Sequence, residues 1–104
     1  MQVFDQAHFD HMTGGDRALQ REVVDLFRAQ VEGWSAAMSA GHGWRDAVHT
    51  LKGSARGIGL SALAAACETA EGAPDADVAV AIIGVRAALA DALVSLEQYA
   101  AAAA

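Results

Sequence analysis

At 104 residues the chain is sized for one domain, residues 1–104, and 54% hydrophobic residues suffice for a core and are too many for disorder. Its formal net charge of -6 argues against nucleic acid as a partner, because a phosphate backbone rewards a basic surface. The single cysteine, Cys67, excludes an internal disulfide and suits a reducing, cytoplasmic compartment.

Alanine is abundant and there is one proline, Pro74, so an all-α fold is expected. The start, MQVFDQAHFDHM, is polar and acidic and does not read as a signal peptide. No uninterrupted apolar run approaches the roughly 20 residues of a membrane span, and Asp91, Glu97 and Gln98 break the C-terminal one.

In chain order, Val3 to Met12 can form a short helix with Asp5 as N-cap, ended by Gly14-Gly15. Asp16 then caps a long helix to about Ser39, with Leu19, Val23, Leu26, Phe27, Val31, Trp34 and Met38 at helical spacing. Gly41-His42-Gly43 is a break. A third helix starts at Gly43 or Trp44, and Gly57-Ile58-Gly59 loosens or ends it. Ser61 can cap a fourth, with Leu63, Ala66, Cys67 and Ala70 facing inward. Gly72-Ala73-Pro74 stops that helix. Asp75 opens a fifth, whose stripe is Val78, Ile82, Val85, Leu89, Leu93 and Leu96. The expected architecture is an antiparallel four-helix bundle with a short additional N-terminal helix.

The third helix carries the chemistry. At about 100° per residue, Trp44, Ala47, Val48, Leu51, Ala55 and Ile58 share one apolar side. His49 lies well off it. Its neighbours at helical spacing are Arg45, Lys52, Gly53 and Arg56. Lys52 is the only lysine, and the three cations are part of only seven basic residues. An imidazole is partly neutral and nucleophilic near neutral pH. The cations would hold an anion at the ring. A mid-helix glycine costs about 1 kcal/mol against alanine, so Gly53 reads as clearance for something that approaches. Together they suggest a phosphorylatable histidine.

His49-Thr50-Leu51-Lys52-Gly53-Ser54-Ala55, then Ile58-Gly59-Leu60, Leu63, Cys67 and Glu71, resembles the signature of the histidine-containing phosphotransfer (Hpt) family. The likeness extends to the helix layout over nearly the whole chain. Two departures are Ala70, where many members carry a larger apolar residue, and the crowded Gly41-His42-Gly43 connection. The resemblance implies a phosphorelay intermediate that takes a phosphoryl group on His49 from a receiver-domain aspartate, or from a kinase, and passes it to another receiver aspartate. It implies Lys52 and Gly53 at the phosphate and Gln30 of the second helix beside the ring or the incoming receiver, while Arg45 and Arg56 are candidate further contacts by their spacing from His49 alone. It implies response-regulator receivers and a hybrid or sensor histidine kinase as partners, Mg2+ on the receiver and a monomer; the residues themselves suggest no cofactor or metal of its own and no membrane or nucleic acid partner. No P-loop or Gly-rich kinase motif is present, so a phosphocarrier rather than an enzyme is expected.

Three other readings compete. A sensor-kinase dimerisation domain typically follows its histidine with an acidic residue and then a proline, whereas Thr50 follows His49 and no proline occurs before Pro74. A non-catalytic docking or scaffold module for receivers would not need intact His49, Lys52 and Gly53. A metal-binding bundle would have to recruit His8, His11 or His42 without a visible third ligand. Cys67, Trp34 and Trp44 read as packing residues.

Overall fold

A computed structural model describes residues 1–39 and 43–103. The elements are α1 (Gln6–Met12), α2 (Arg17–Ser39), α3 (Trp44–Ile58), α4 (Ser61–Gly72) and α5 (Val78–Ala103), with a 3-10 turn at Asp75–Asp77 before α5. Helices α2 to α5 form the expected four-helix bundle. Each packs on its two neighbours in the ring, and α1 lies against α3. The Gly41-His42-Gly43 break lies outside the described residues except for Gly43, which precedes α3 with φ +82°.

Helix ends follow ordinary capping chemistry, with one difference from expectation. Asp5 Oδ1 accepts from His8 N at 3.0 Å, and Asp16 Oδ1 from Leu19 N at 3.1 Å, so both predicted N-caps form. Ser61 does not cap α4. Leu60 holds the N-cap position without a side-chain bond, and the Gln2 carbonyl accepts from Ala62 N at 2.9 Å. The N-terminal arm therefore supplies the missing acceptor. Asp5 N also donates to the Gly59 carbonyl at 2.8 Å. Helix α3 runs through Gly57 and stops at Gly59, whose φ is +97°. A Cβ there would also lie 2.9 Å from the Asp5 carbonyl oxygen, so the turn requires glycine on two counts.

The core draws on every helix: Phe9, Val24, Phe27, Trp34, Val48, Leu51, Leu63, Cys67, Val85, Leu89 and Leu96 are all buried. On α2 the buried positions are Gln20, Val24, Phe27, Trp34 and Met38, so Phe27, Trp34 and Met38 of the predicted stripe are buried, and its Val23 and Val31 pack partly buried against the core. Leu19 and Leu26 remain 41% and 60% exposed. With the partly buried Val31 between Phe27 and Trp34, the set repeats by alternating fours and threes, the narrow seam of a bundle helix. Gln20 disguised it, because its amide is satisfied internally. Its Nε2 donates to Asp10 Oδ1 at 2.9 Å and to Thr13 Oγ1 at 3.0 Å. Tyr99 of α5 also donates to the Asp10 carboxylate, and that bond, with burial, pushes its phenol up from the ordinary value. Phe4, Phe9 and Tyr99 meet edge to face, with centroids 5.3 to 5.8 Å apart. This cluster fastens α1 to α2 and α5.

Helix α5 buries Val85, Leu89, Ala92 and Leu96 but leaves Val80, Ile83 and Val94 exposed. The run Asp75–Ala102, with a window of mean hydropathy 1.9, is long and apolar enough by length and composition to cross a membrane. No uninterrupted apolar run of that length is present, since Arg86, Asp91 and Glu97 interrupt it. Alanine and valine raise the average despite the scattered charges. Arg86 secures the helix to α2, donating to Ser35 Oγ at 2.8 Å and to the Ser35 carbonyl at 2.9 Å.

Gly59→Ala is expected to lower stability by about 1–3 kcal/mol, from the left-handed backbone and the clash with Asp5. Gly53→Ala is expected to raise it by about 0.5–1 kcal/mol, because a Cβ there meets nothing within 4 Å. Thermal unfolding of the two variants checks the opposite signs.

Candidate functional site

Helices α3 and α4 are joined by a tight turn, so they run antiparallel in a fixed register. Their facing sides bury Val48, Leu51, Ala55, Leu63, Cys67 and Ala70. Ala70 is fully buried, so the small residue at this departure from the family pattern still closes the core. His49 projects from the opposite side of α3, and its side chain is 70% exposed. The half-buried Glu71, in the last turn of α4, reaches back to it. His49 Nδ1 lies 3.1 Å from Glu71 Oε2. Lys52 Nζ lies 2.7 Å from Glu71 Oε1, and its side chain is only 14% exposed. Oε1 is buried, and the ammonium is its partner.

That geometry dictates the state of the ring. A carboxylate only accepts, so Nδ1 carries the hydrogen. A neutral imidazole then has its lone pair on Nε2, the distal nitrogen. The Lys52 ammonium holds the Glu71 carboxyl below the usual carboxylate range, against the opposing effect of burial, and the His49 hydrogen bond adds to it. Glu71 is therefore ionised at neutral pH, and the ring faces a full negative charge on its inner nitrogen.

The other predicted residues divide. Arg45 donates to the Glu71 carbonyl at 2.7 Å, and its guanidinium stacks 4.5 Å over Trp44, so it closes the end of α4. Arg56 Nη2 lies 3.5 Å from Glu68 Oε2 with both side chains exposed. Of the three cations, only Lys52 shares a partner side chain with His49. Gly53 is exposed and borders open space. Gln30 is exposed on α2 and lines a groove with Ser54, Gly57 and Ile58. The ring's hydrogen bond goes to Glu71, not to Gln30. The role of Glu71 was missed as chemistry, although the residue stood in the motif. His8 Nε2 meets the Gly57 carbonyl at 3.1 Å, and His42 lies outside the described residues. Among the described residues, no three His, Cys, Asp or Glu side chains are placed to hold a metal ion.

Cys67 sits one turn before Glu71 and is fully buried. Burial pushes its thiol up to about 11; the Glu71 charge adds to the rise and Lys52 opposes it.

An exposed imidazole, tied at Nδ1 and free at Nε2 on the flank of a four-helix bundle, is the design of a histidine phosphocarrier. The Hpt domain family model matches residues 17–99, which leaves α1 outside the match. Histidine phosphotransferase ShpA from Caulobacter crescentus is similar in structure, with a TM-score of 0.80 and 39% identity, over 95% of this chain and 91% of that one. No curated protein matches the chain. The chain belongs to the histidine-containing phosphotransfer family. Its members are phosphocarriers of two-component phosphorelays and exchange phosphoryl groups with receiver domains and histidine kinases.

Two outcomes test this geometry. Because the folded carboxyl of Glu71 titrates below its unfolded value, its stabilisation is complete above the ordinary carboxylate range of about 4.5. It is lost as pH falls through the lower folded value. The melting-temperature difference between the parent and Glu71→Gln should thus be constant above about pH 5.5 and shrink below about pH 4.5. Cys67 should react with an aromatic disulfide reagent at pH 8 only after denaturant is added.

Proposed function

We propose that His49 is the phosphoacceptor, with Glu71 and Lys52 as the pair that prepares it. The observation that carries this reading is the Glu71 carboxylate 3.1 Å from Nδ1 of a ring that is otherwise exposed. A receiver domain with a phosphorylated aspartate docks over the ring. The Nε2 lone pair attacks the phosphorus in line. An N–P bond forms as the acyl O–P bond breaks, and the electron pair of that bond leaves with the aspartate carboxylate. The ring keeps its Nδ1 proton and becomes cationic. Glu71 faces that new charge and stabilises it. Return of the phosphoryl group to a second receiver reverses each change.

Lys52, held at the base of the site by Glu71, lends positive charge to the phosphoryl oxygens. Gly53 gives the receiver backbone room, since nothing in the fold fills the space where its Cβ would be. Arg56 and Arg45 bias the rim electrostatically, and Gln30 meets the receiver from α2. The divalent metal of the relay, Mg2+, belongs to the receiver. The chain acts as a carrier without a kinase or nucleotide site of its own, as a cytoplasmic monomer with no membrane or nucleic acid partner. The buried free thiol and the acidic net charge support that setting.

Incubation with phosphorylated receiver domains should place acid-labile, base-stable phosphate on the parent and none on His49→Gln. Glu71→Gln should be labelled about 100-fold more slowly, because a neutral amide no longer stabilises the ring cation. Equal labelling of the parent and His49→Gln would rule out His49 as the acceptor.

A further inference from the structure

The exposed side of α3 that carries His49 continues past Gly53 to Gly57, in steps of four residues. The fold does not demand a glycine at Gly57. Helix α3 runs on to Ile58, the φ of Gly57 is not positive, and a Cβ built on it would meet nothing within 4 Å. Glycine is a poor residue inside a helix. Here it borders an apolar notch of about 210 Å³ between α1, α2 and α3. Met12 closes the α1 side, Val23, Leu26 and Phe27 line the α2 side, and Ile58 lies next to Gly57. Leu26 is 60% exposed, and Met12 44%. His8 Nε2 donates to the Gly57 carbonyl at 3.1 Å and pins α1 at the notch's edge. No charged side chain lines the notch. Helix α1, which brings Met12 and His8, lies outside the segment that matches the family model.

The occupant follows from position. Eight residues of helix separate Gly57 from His49, a rise of about 12 Å. A protein interface of standard size covers about 800 Å² on each partner, a disc of about 16 Å radius. A receiver centred on His49 therefore extends over the notch.

We propose that Gly57 is a specificity determinant of phosphotransfer: it holds this notch open for a large apolar side chain that the receiver presents beside its phosphoaspartate. The inference rests on the phosphorelay reading of His49 and adds a filter on which receivers are accepted. A receiver with a leucine, isoleucine, methionine or phenylalanine there gains its burial. A receiver with a charge there is rejected, because the charge would be desolvated without a partner.

The test compares Gly57→Ala and Gly57→Leu with the parent, and with Gly84→Leu on α5, where a Cβ also meets nothing within 4 Å. His49 is labelled first with phosphoramidate, a donor too small to reach the notch. Transfer is then measured with the receiver that labels the parent fastest. Labelling by phosphoramidate should be the same in all four within about 2-fold, and both Gly57 variants should melt no lower than the parent. With the receiver, Gly57→Leu should raise KM about 10-fold or more with kcat little changed, Gly57→Ala should raise it less, and Gly84→Leu should match the parent. Equal KM values for Gly57→Leu and the parent would overturn the assignment and leave the phosphorelay reading intact. A parent that takes no label from either donor would overturn both.

Discussion

The Glu71 carboxylate lies between α3 and α4, with the Lys52 ammonium 2.7 Å from one oxygen and His49 Nδ1 3.1 Å from the other. A half-buried carboxylate is costly without such partners. The two contacts make it tolerable and give it two tasks: it locks the α3–α4 pair together at the site, and it decides which ring nitrogen is available. Neither partner can be removed cheaply. Without Glu71, a mostly buried lysine loses its counter-charge. Without Lys52, the carboxylate keeps only the histidine. The ring proposed as the acceptor is therefore held by the same pair that helps hold the scaffold.

Register makes this possible. Leu60 stands at the turn between α3 and α4, with His49 eleven residues before it and Glu71 eleven after. Two antiparallel helices with the same rise bring positions equidistant from the turn to the same height. The turn itself depends on Gly59 and on the arm that caps α4 through the Gln2 carbonyl. A contact at the far end of the chain thus helps set which carboxylate faces the ring. Beneath it lie fully buried residues, Leu51, Leu63, Cys67 and Ala70, so the site stands on packed core rather than on a loop.

Much of this was legible in the sequence. The five helices, the caps at Asp5 and Asp16, the core face of α3 and the exposure of His49 follow from periodicity and capping, which are local. What was not legible is relational. Glu71 looks like one more acidic residue until the α3–α4 register is known, although its equal distance from the turn was the signal that could have found it. Arg45 and Arg56 were grouped with Lys52 by spacing along one helix, but α4 offers each of them another partner. Only the start of the α2 stripe differs, because Gln20 is polar by type and buried in fact, its amide satisfied by Asp10 and Thr13. Ser61 was passed over because a distant backbone carbonyl did its work.

Everything at the site turns on Glu71 fixing His49 as the Nδ1–H form, with the lone pair on Nε2. Nitrogen-15 chemical shifts of the His49 ring, recorded near pH 8.5 where imidazoles are neutral, report this directly. A protonated-type shift at Nδ1 and a lone-pair shift at Nε2 are expected in the parent, with the two averaging toward a mixture in Glu71→Gln. A parent ring that carries its hydrogen on Nε2, or the same shifts in both proteins, would contradict it.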